Sequence, residues 1–326
     1  MKKQLTLAFA LVIILLLPNL AAAQQFGPWS APVNLGAAIN TAANDQHPTI
    51  SKDGLTLIFV SDRPGGFGDM DLYVSQRDSL DGLWGLAVNL AALNTPLREF
   101  APELSTDGHW LYFHRPGVCG LADIYAAHRK DKRDDFEWEE PVNLGCVLNT
   151  PFTDAGPTVF QDPDTGVFTL YLNRSLLPPP DMEGFDIYAS TCTADLSSCN
   201  REQLWGPAFK VDELSSPRRD TRTAIRRRDG LEMIVTSSRT PGGCGSQDLW
   251  VSTRTTTADT WSIPVNLDPI DPGTGLPTCV TNSSSLDGAM AISWDGTELY
   301  FFSNRTGGAG LNDLYRSTRS KLTSQQ

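Results

Sequence analysis

The sequence predicts an all-β fold, a five-bladed β-propeller made of four-stranded antiparallel blades. Two repeated motifs predict it. The first motif has an apolar stretch on each side of a glycine turn, followed by Asp-[Leu/Ile]-[Tyr/Trp], and it occurs five times. Its turn glycines are Gly54, Gly108, Gly166, Gly230 and Gly296. The second motif, Trp-x-x-Pro-Val-Asn-Leu in its best copies, also occurs five times. Four short strands per unit, repeated radially, are typical of propeller blades.

Each unit supplies its four strands in the same order. Strand A ends at the glycine turn, and strand B alternates apolar and polar residues, which places one face in the core. Strand C starts at the Asp-[Leu/Ile]-[Tyr/Trp] motif, and strand D is the Trp-Pro-Val stretch. The strand D motifs begin at Trp29, Trp84, Trp138, Trp205 and Trp261.

The two motifs are displaced by one unit along the chain. Trp29 precedes the first blade, whereas no Trp motif follows the last strand C, which contains Tyr315. We therefore expect residues 28–35 to supply the outer strand of the last blade and to close the ring without an unpaired edge. A solenoid is the alternative, but it does not explain the displaced copy.

Three segments resemble the WD40-like β-propeller repeat family, also called PD40 and best known from TolB. They are Pro-x-[Ile/Leu]-Ser-x-Asp-Gly, the stretch from Ser61 to Gly68, and Asp-[Leu/Ile]-Tyr, spread over residues 28–317. The resemblance implies a propeller that serves as a binding module, an assembly part or, in some members, an enzyme. A counterpart of the TolB N-terminal domain is not found, so a TolB role is not implied.

Residues 1–23 have the pattern of a signal peptide. Lys2 and Lys3 precede an apolar run from Leu5 to Leu17 and the small residues Ala21–Ala23. A membrane anchor is the alternative, but the run is short for a span. We expect residues 24–319 to form one propeller domain and residues 320–326 a flexible tail. The chain is then periplasmic or secreted, a monomer, and without a membrane span after cleavage.

The chain is acidic. Its 326 residues carry a formal net charge of −12, which becomes −14 when Lys2 and Lys3 are removed. This charge excludes a general nucleic-acid binder, because affinity for phosphates needs a basic surface.

Six cysteines occupy positions that the repeat can pair. Cys119 and Cys244 lie in matching loops between strands B and C, and Cys146 and Cys279 lie in matching loops after strand D. Both kinds of loop emerge on one face of a propeller. The repeat therefore predicts the disulfides Cys119–Cys146 and Cys244–Cys279, with Cys192–Cys199 as a local link; a zinc site is the alternative.

Two charged positions recur in every repeat on that same face. Three residues before the strand A motif stand Asp45, Glu99, Asp154, Asp220 and Asp287, and at the end of strand B stand Arg63, Arg115, Arg174, Arg239 and Arg305. We expect five acid–arginine pairs around the channel, since bidentate pairs lock loops in place. The aspartates of strand C, expected to accept backbone hydrogen bonds, are Asp71, Asp123, Asp186, Asp248 and Asp313.

The repeat is broken at a few channel-facing positions. His47 and Arg222 stand where other blades have small residues, and Arg218 and Arg219 precede Arg222. These four residues are predicted to form a cationic ligand-binding patch, suited to a carboxylate or sulfate on a glycan or peptide; a solvated basic loop is the alternative. The insertion 175–184 is expected to protrude, and Arg226–Arg228 are expected to be solvated on the opposite face.

For function, the sequence favours a non-catalytic binding or assembly module with a protein or polysaccharide ligand. The alternative is a carbohydrate-active enzyme similar to glycoside hydrolases, with the five ring acids as its catalytic candidates. No cofactor is expected, although the ring carboxylates are also the ligands that Ca²⁺ prefers. Only His47 and His114 can reach the channel face, so a histidine-based metal is not predicted.

Overall fold

The computed structural model describes residues 24–177 and 184–322, and within these ranges the chain forms 20 strands and one short helix. Blade 1 comprises β2 (Asp45–Ile50), β3 (Thr56–Ser61), β4 (Asp71–Gln76) and β5 (Val88–Asn89). Blade 2 comprises β6 (Phe100–Leu104), β7 (Trp110–Pro116), β8 (Ala122–His128) and β9 (Val142–Asn143). Blade 3 comprises β10 (Thr153–Gln161), β11 (Phe168–Ser175), β12 (Phe185–Cys192) and β13 (Phe209–Lys210).

The remaining strands build two more blades. Blade 4 comprises β14 (Asp220–Ile225), β15 (Glu232–Ser237), β16 (Asp248–Thr253) and β17 (Val265–Asn266). Blade 5 comprises β18 (Asp287–Ile292), β19 (Glu298–Ser303), β20 (Asp313–Thr318) and, from the other end of the chain, β1 (Val33–Asn34). The innermost strands β2, β6, β10, β14 and β18 contact one another in ring order. The predicted propeller of four-stranded blades is confirmed.

The N-terminal strand closes the ring as the displaced Trp29 motif predicts. Val33 pairs with Arg316 in an antiparallel register, and the contact continues beyond the strand, where Gly27 N donates to Ser320 O at 2.9 Å. The pairing gives β20 a partner on its outer side. Of the expected tail, residues 320–322 therefore lie beside residues 25–27, while the rest of the tail and the expected signal peptide lie outside the described residues.

Parallel β-bridges link neighbouring blades at the start of strand A. Ala122 and Thr153 form a parallel bridge that joins blades 2 and 3 into one eight-stranded sheet. Equivalent bridges occur at three further junctions: Met70–Arg98, Gln247–Leu286 and Asn312–Asn44. These bridges fix where strand A enters the channel in blades 1, 2, 3 and 5.

Every strand A carries a β-bulge just inside the channel. In blade 1 the pairing skips from Gln46 to Thr49, and the corresponding skip in blade 4 falls at Arg222. The first bulged residue has a positive φ at His47 (53°) and Ala101 (54°), a backbone state that few non-glycine residues adopt. A bulge re-aims side chains, so these positions present their side chains differently from the rest of the strand.

The hydrophobic core consists of five clusters, one at each junction between blades. At the junction of blades 1 and 2, for example, Ile58 and Leu72 pack against Leu111 and Phe113, all four fully buried. The cluster between blades 5 and 1 similarly joins Phe59 to Tyr300. Because a cluster covers each face of every blade, strand B is buried on both faces, as at residues 57–61, and the expected alternation with a single apolar face does not hold.

Three disulfides link the loops. The pairs are Cys119–Cys146, Cys192–Cys199 and Cys244–Cys279, the same three pairs that the repeat predicts. The helix α1 (Leu196–Arg201) begins at Asp195, which caps it through Ser198 N, and Cys199 ties the helix to β12. Three disulfides are typical of a chain that folds in an oxidising compartment. No helix in the described ranges is long and apolar enough to cross a bilayer.

Candidate functional site

Four of the five ring acids are paired with the arginine of their own blade. The carboxylates of Asp45, Asp154, Asp220 and Asp287 lie 2.5 to 2.7 Å from the guanidinium nitrogens of Arg63, Arg174, Arg239 and Arg305, respectively. Each second carboxylate oxygen accepts from a backbone N–H of the loop entering strand A, as Ser283 N donates to Asp287 at 2.6 Å. All four acids are 0% exposed. Each of these acids therefore connects the loop between strands D and A to the arginine at the end of strand B.

Glu99 departs from this pattern. Both of its oxygens accept from Thr95, at 2.9 Å from the backbone N and 2.6 Å from Oγ1, and no arginine is ion-paired with it in the described structure. Arg115 lies instead over the ring of Tyr125, with 4.3 Å to the centroid. The expected fifth pair is not formed: Asp45 accepts from both Thr41 groups with one oxygen and keeps the other for Arg63, whereas Glu99 uses one oxygen for each of the two Thr95 groups. Burial raises the pKa of Glu99 above its usual value, although the Thr95 hydrogen bonds oppose the shift.

The strand C aspartates hold the B–C loops. Asp123 accepts from the backbone N–H groups of Val118, Cys119 and Gly120, and Asp71, Asp248 and Asp313 accept in the same way. Asp186 instead accepts from Lys210 Nζ at 2.7 Å. It follows the insertion 175–184, of which residues 178–183 lie outside the described residues, so its expected protrusion is not described.

A buried cluster fills the channel below its mouth. The guanidinium of Arg222 donates to the carbonyl oxygens of Pro157 and Pro102, both at 2.6 Å, and to Glu103 Oε2 at 3.1 Å. Arg227 enters from the opposite face, donates to Leu104 O at 2.5 Å, and lies 3.7 Å from Glu103. The expectation that Arg226–Arg228 are solvated is therefore wrong for Arg226 and Arg227, which are buried.

The mouth of the channel, above Arg222, is a cavity of about 290 Å³. All five blades line it; representative side chains are His47, Phe100, Asn173, Arg219, Gln247 and Phe302. The ring of His47 packs at a tilt against Phe100, with 4.1 Å between ring centroids, and stacks on Phe302 at 5.6 Å. Aromatic faces and hydrogen-bonding side chains converge there from different blades, which is typical of a small-molecule site.

The two histidines of the mouth are neutral. Burial and the nearby charge of Arg98 lower the pKa of His114 to about 3, and burial and Arg222 hold the pKa of His47 well below its usual value. Gly156 N donates to His114 Nδ1 at 3.4 Å, which leaves the proton of the neutral ring on Nε2. The histidines therefore offer hydrogen bonds without charge.

Of the four residues predicted to form a cationic patch, His47, Arg219 and Arg222 line the mouth. Arg218 is exposed on the neighbouring loop and is not part of the lining. The prediction did not include Arg98 and Phe100, which the blade 1–2 bridge brings to the mouth. Both residues flank the ring acid Glu99 in the sequence, and this position is the signal that could have placed them at the mouth.

Among residues 24–177 and 184–322, no group of three or more histidine, cysteine or acidic side chains is placed to hold a metal ion. The ring acids, considered as ligands for Ca²⁺, each stand in a separate blade with their oxygens already accepting from protein donors.

Comparison with solved structures finds a shared architecture at low identity. A glycoside hydrolase of family GH62 in complex with xylotriose superposes with a TM-score of 0.57 at 11% identity, over 92% of this chain and 99% of its own. The GH62 α-L-arabinofuranosidase of Coprinopsis cinerea gives 0.54 at 12% identity, over 91% and 98%. The GH43 endo-arabinanase of Bacillus licheniformis gives 0.52 at 14%, over 89% and 97%. The chain shares the fold of these enzymes.

These findings correct two expectations. No protein-family model and no curated relative matches the chain, and its structural neighbours are GH62 and GH43 hydrolases, so the assignment to PD40 or TolB-like proteins is wrong. The expectation of a non-catalytic binding or assembly module is overturned by the same neighbours, which are sugar hydrolases.

Proposed function

We propose that this chain is a carbohydrate-active enzyme of the glycoside hydrolase type, exported to the periplasm or the cell exterior, whose sugar substrate binds in the mouth. The observation that carries the proposal is the mouth itself, a cavity of about 290 Å³ lined by all five blades. It occurs in a fold shared with sugar hydrolases over most of the chain, one of them crystallised with xylotriose. The cavity lies near the lower end of the roughly 300–1,000 Å³ range of ligand pockets, so it suits one sugar ring.

The lining supports a sugar ligand. Phe100 and Phe302 line the mouth, and the C–H face of a sugar ring can pack against the ring of Phe100 once the side chains of Arg98 and His47, which lie against it, move aside. Asn173, Gln46 and Gln247 supply amide groups that both donate and accept, as hydroxyl recognition requires.

Glu99 is the candidate proton donor. Glycoside hydrolysis needs one carboxylic acid that protonates the leaving oxygen, and burial raises the pKa of such a group. Glu99 has the raised pKa, has no arginine ion pair among the described residues, and stands between the mouth residues Arg98 and Phe100.

Asp45 is the candidate second carboxylate, which would attack the anomeric carbon or activate water. It lies in the neighbouring blade and is ion-paired with Arg63 at 2.5 Å. Both acids are fully covered, so the proposal requires the rim side chains Arg98 and Phe100 to shift when substrate binds. Asp220 and Asp287 are weaker candidates because their blades do not adjoin the blade of Glu99. Asp154 lies in an adjoining blade, but burial raises its pKa, which suits a nucleophile or base less well.

The test is hydrolysis of arabino-, xylo- and galacto-oligosaccharides and of uronic acid oligomers, with products followed by chromatography. We expect Glu99→Gln to lower kcat by about 10²- to 10⁴-fold with little change in melting temperature. Glu139→Gln, which removes a carboxylate at the outer edge beside Arg201, is the matched control and is expected to retain full activity.

Two outcomes contradict parts of the proposal separately. A Glu99→Gln variant with wild-type kcat would remove Glu99 as the proton donor. If the wild-type protein releases no product from any of these substrates, the proposal that the chain is a glycoside hydrolase is refuted.

A further inference from the structure

A second and larger cavity, the rear groove, lies at the other end of the propeller from the mouth. It has a volume of about 980 Å³, and its lining comes from the A–B turns of blades 1 and 2, the ends of their strands C, and Trp294 of blade 5. In blade 1, Gln46 lines the mouth and Ser51, directly after the same strand, lines the rear groove. Five residues of extended chain separate these two positions by roughly 15 Å, so the rear groove is a site apart from the mouth.

Exposed side chains of both charges line the rear groove without pairing with one another. Lys52 and Lys132 make no ion pair with a described residue, and Asp78 makes neither an ion pair nor a hydrogen bond with one. Two further acids, Asp53 and Asp107, each use one carboxylate oxygen to accept from their own turn, and the second oxygen has no described partner. The rear groove therefore offers strong donors and strong acceptors at the same time.

Uncharged hydrogen-bonding groups add to this lining. Nδ1 of His109 donates to Arg129 O at 3.0 Å, which leaves Nε2 of the neutral ring as an acceptor. The hydroxyls of Thr56 and Thr106 have no hydrogen-bond partner among the described residues. The arginines Arg77 and Arg129 are instead buried in ion pairs. The groups available to a ligand are thus the exposed and half-buried ones.

An aromatic side chain completes the rear groove. Trp294 is half-buried, and Nζ of Lys52 lies over its ring at 4.1 Å from the centroid. Because Lys52 is exposed and its stem is flexible, it can turn aside and leave the indole face to the C–H groups of a sugar ring. Trp294 then supplies an apolar platform within a polar groove.

We infer that the rear groove binds a neutral, hydroxyl-rich chain, namely a segment of an uncharged polysaccharide. A hydroxyl donates and accepts at once, so one sugar unit can satisfy a free carboxylate and a free ammonium together. A ligand of one charge sign would be attracted by some of these groups and repelled by others. The volume of about 980 Å³, against about 290 Å³ in the mouth, accommodates several rings in a row. The inference goes beyond the proposed function, because binding here requires no reaction in the mouth.

Tryptophan fluorescence distinguishes the two sites, because Trp294 lines the rear groove and no tryptophan is among the described residues of the mouth. The probes are xylohexaose, cellohexaose and α-1,5-linked arabinohexaose, each with its disaccharide, added to the Glu99→Gln protein to limit turnover. We expect at least one hexaose to change the fluorescence and to bind about tenfold more tightly than its disaccharide. The change should persist in Phe100→Ala, which alters the mouth. It should be lost in Trp294→Phe, whose binding is then followed by calorimetry.

Two matched pairs of variants localise the binding. Asp78→Asn and Lys132→Ala each remove a free charged group of the rear groove, and each is expected to weaken the hexaose about tenfold, because hydrogen bonds to charged groups are strong. Asp81→Asn and Lys130→Ala are the controls, since Asp81 and Lys130 are exposed on the same two loops and do not line the rear groove. Both controls are expected to bind like the parent protein.

The outcomes separate this inference from the proposed function. No fluorescence change with any hexaose, or equal losses in the groove variants and their controls, would overturn the inference whatever the mouth hydrolyses. Tighter binding of penta-glutamate or penta-lysine than of any sugar would also overturn it, in favour of a charged peptide. Hexaoses that bind in the rear groove of a protein that hydrolyses no substrate would support the inference and refute the proposed function.

Discussion

Arg222 of blade 4 reaches across the channel and donates to Glu103 of blade 2 at 3.1 Å. The same guanidinium holds carbonyl oxygens of blades 2 and 3, so one side chain connects three of the five blades. Glu103 also receives Thr49 Oγ1 from blade 1 at 3.4 Å. The centre of the ring is thus held by a charged cluster in addition to the apolar junctions.

We predict that Glu103→Gln destabilises the fold by about 3–5 kcal/mol, the usual cost of removing one partner from a buried ion pair. The loss arises because Arg222 and Arg227 would then be buried without a counter-ion. Urea unfolding at pH 7 measures it. In the double variant with Arg222→Met, the losses should be smaller than the sum of the single losses; strict additivity would contradict the coupling.

Asp287→Asn and Glu99→Gln should differ in stability although they occupy equivalent ring positions. Asp287 is ion-paired with Arg305 at 2.6 Å in a buried place, so its substitution is expected to cost about 3 kcal/mol. Glu99 has hydrogen bonds to Thr95 alone, and its substitution is expected to cost about 1 kcal/mol. Thermal unfolding of both variants checks this order, and the reverse order would show that Arg115 engages Glu99 in solution.

The two longer-range disulfides should matter more than the local one. Cys244–Cys279 spans 35 residues and Cys192–Cys199 spans 7. The loop-closure model assigns the longer loop a greater stabilisation by about 1.4 kcal/mol. Paired Cys→Ser replacements, compared by urea unfolding under non-reducing conditions, test this difference. A larger loss from the Cys192–Cys199 pair would show that the link to α1 stabilises through packing.

The unfolding free energy should depend on pH through His114. Its pKa is about 3 in the folded chain and near 6.5 when unfolded. Below pH 6.5 the unfolded chain therefore binds a proton that the folded chain does not, and stability falls as the pH drops towards 3. Between pH 7.5 and 5.5 we expect the wild type to lose about 1 kcal/mol more than His114→Gln, while His47, whose pKa is also lowered, contributes equally to both proteins.

The comparison of wild type and His114→Gln cancels the opposing groups. Burial raises the pKa of Glu99, Asp154 and Asp248, so those acids stabilise the folded chain as the pH falls. They are present in both proteins. Parallel pH curves for the two proteins would contradict the assignment to His114.

The blades, their order and the closing strand were predictable because they follow from repetition. The Trp29 motif precedes the first blade, and the last blade lacks a strand D of its own. The strand after Trp29 can therefore only complete the last blade, beside β20. The disulfides were predictable for the same reason, since matching loops lie at matching places. Five copies of each motif support the same assignment of strands and loops, so one degenerate copy does not change the predicted fold.

The centre of the site was less predictable because its features occur once. Arg227 fills the channel from the opposite face, and nothing in the run Arg226–Arg228 distinguishes it from a solvated turn. Glu99 differs from the other ring acids by one methylene group, and its two oxygens both accept from Thr95, whereas Asp45 and Asp154 accept from the equivalent threonine with one oxygen and from arginine with the other. Such contacts depend on the reach of individual side chains, which a strand pattern does not encode.

The closing strand β1 has a consequence for the order in which the chain is completed. Residues 25–34 are synthesised before residues 313–322, against which they lie. Until β20 is made, β1 has no strand to pair with and the outer side of β19 is an open edge that can pair with another chain. A product truncated before residue 313 would thus expose residues 25–34 without their partner, and aggregation rather than loss of a single blade is its expected fate.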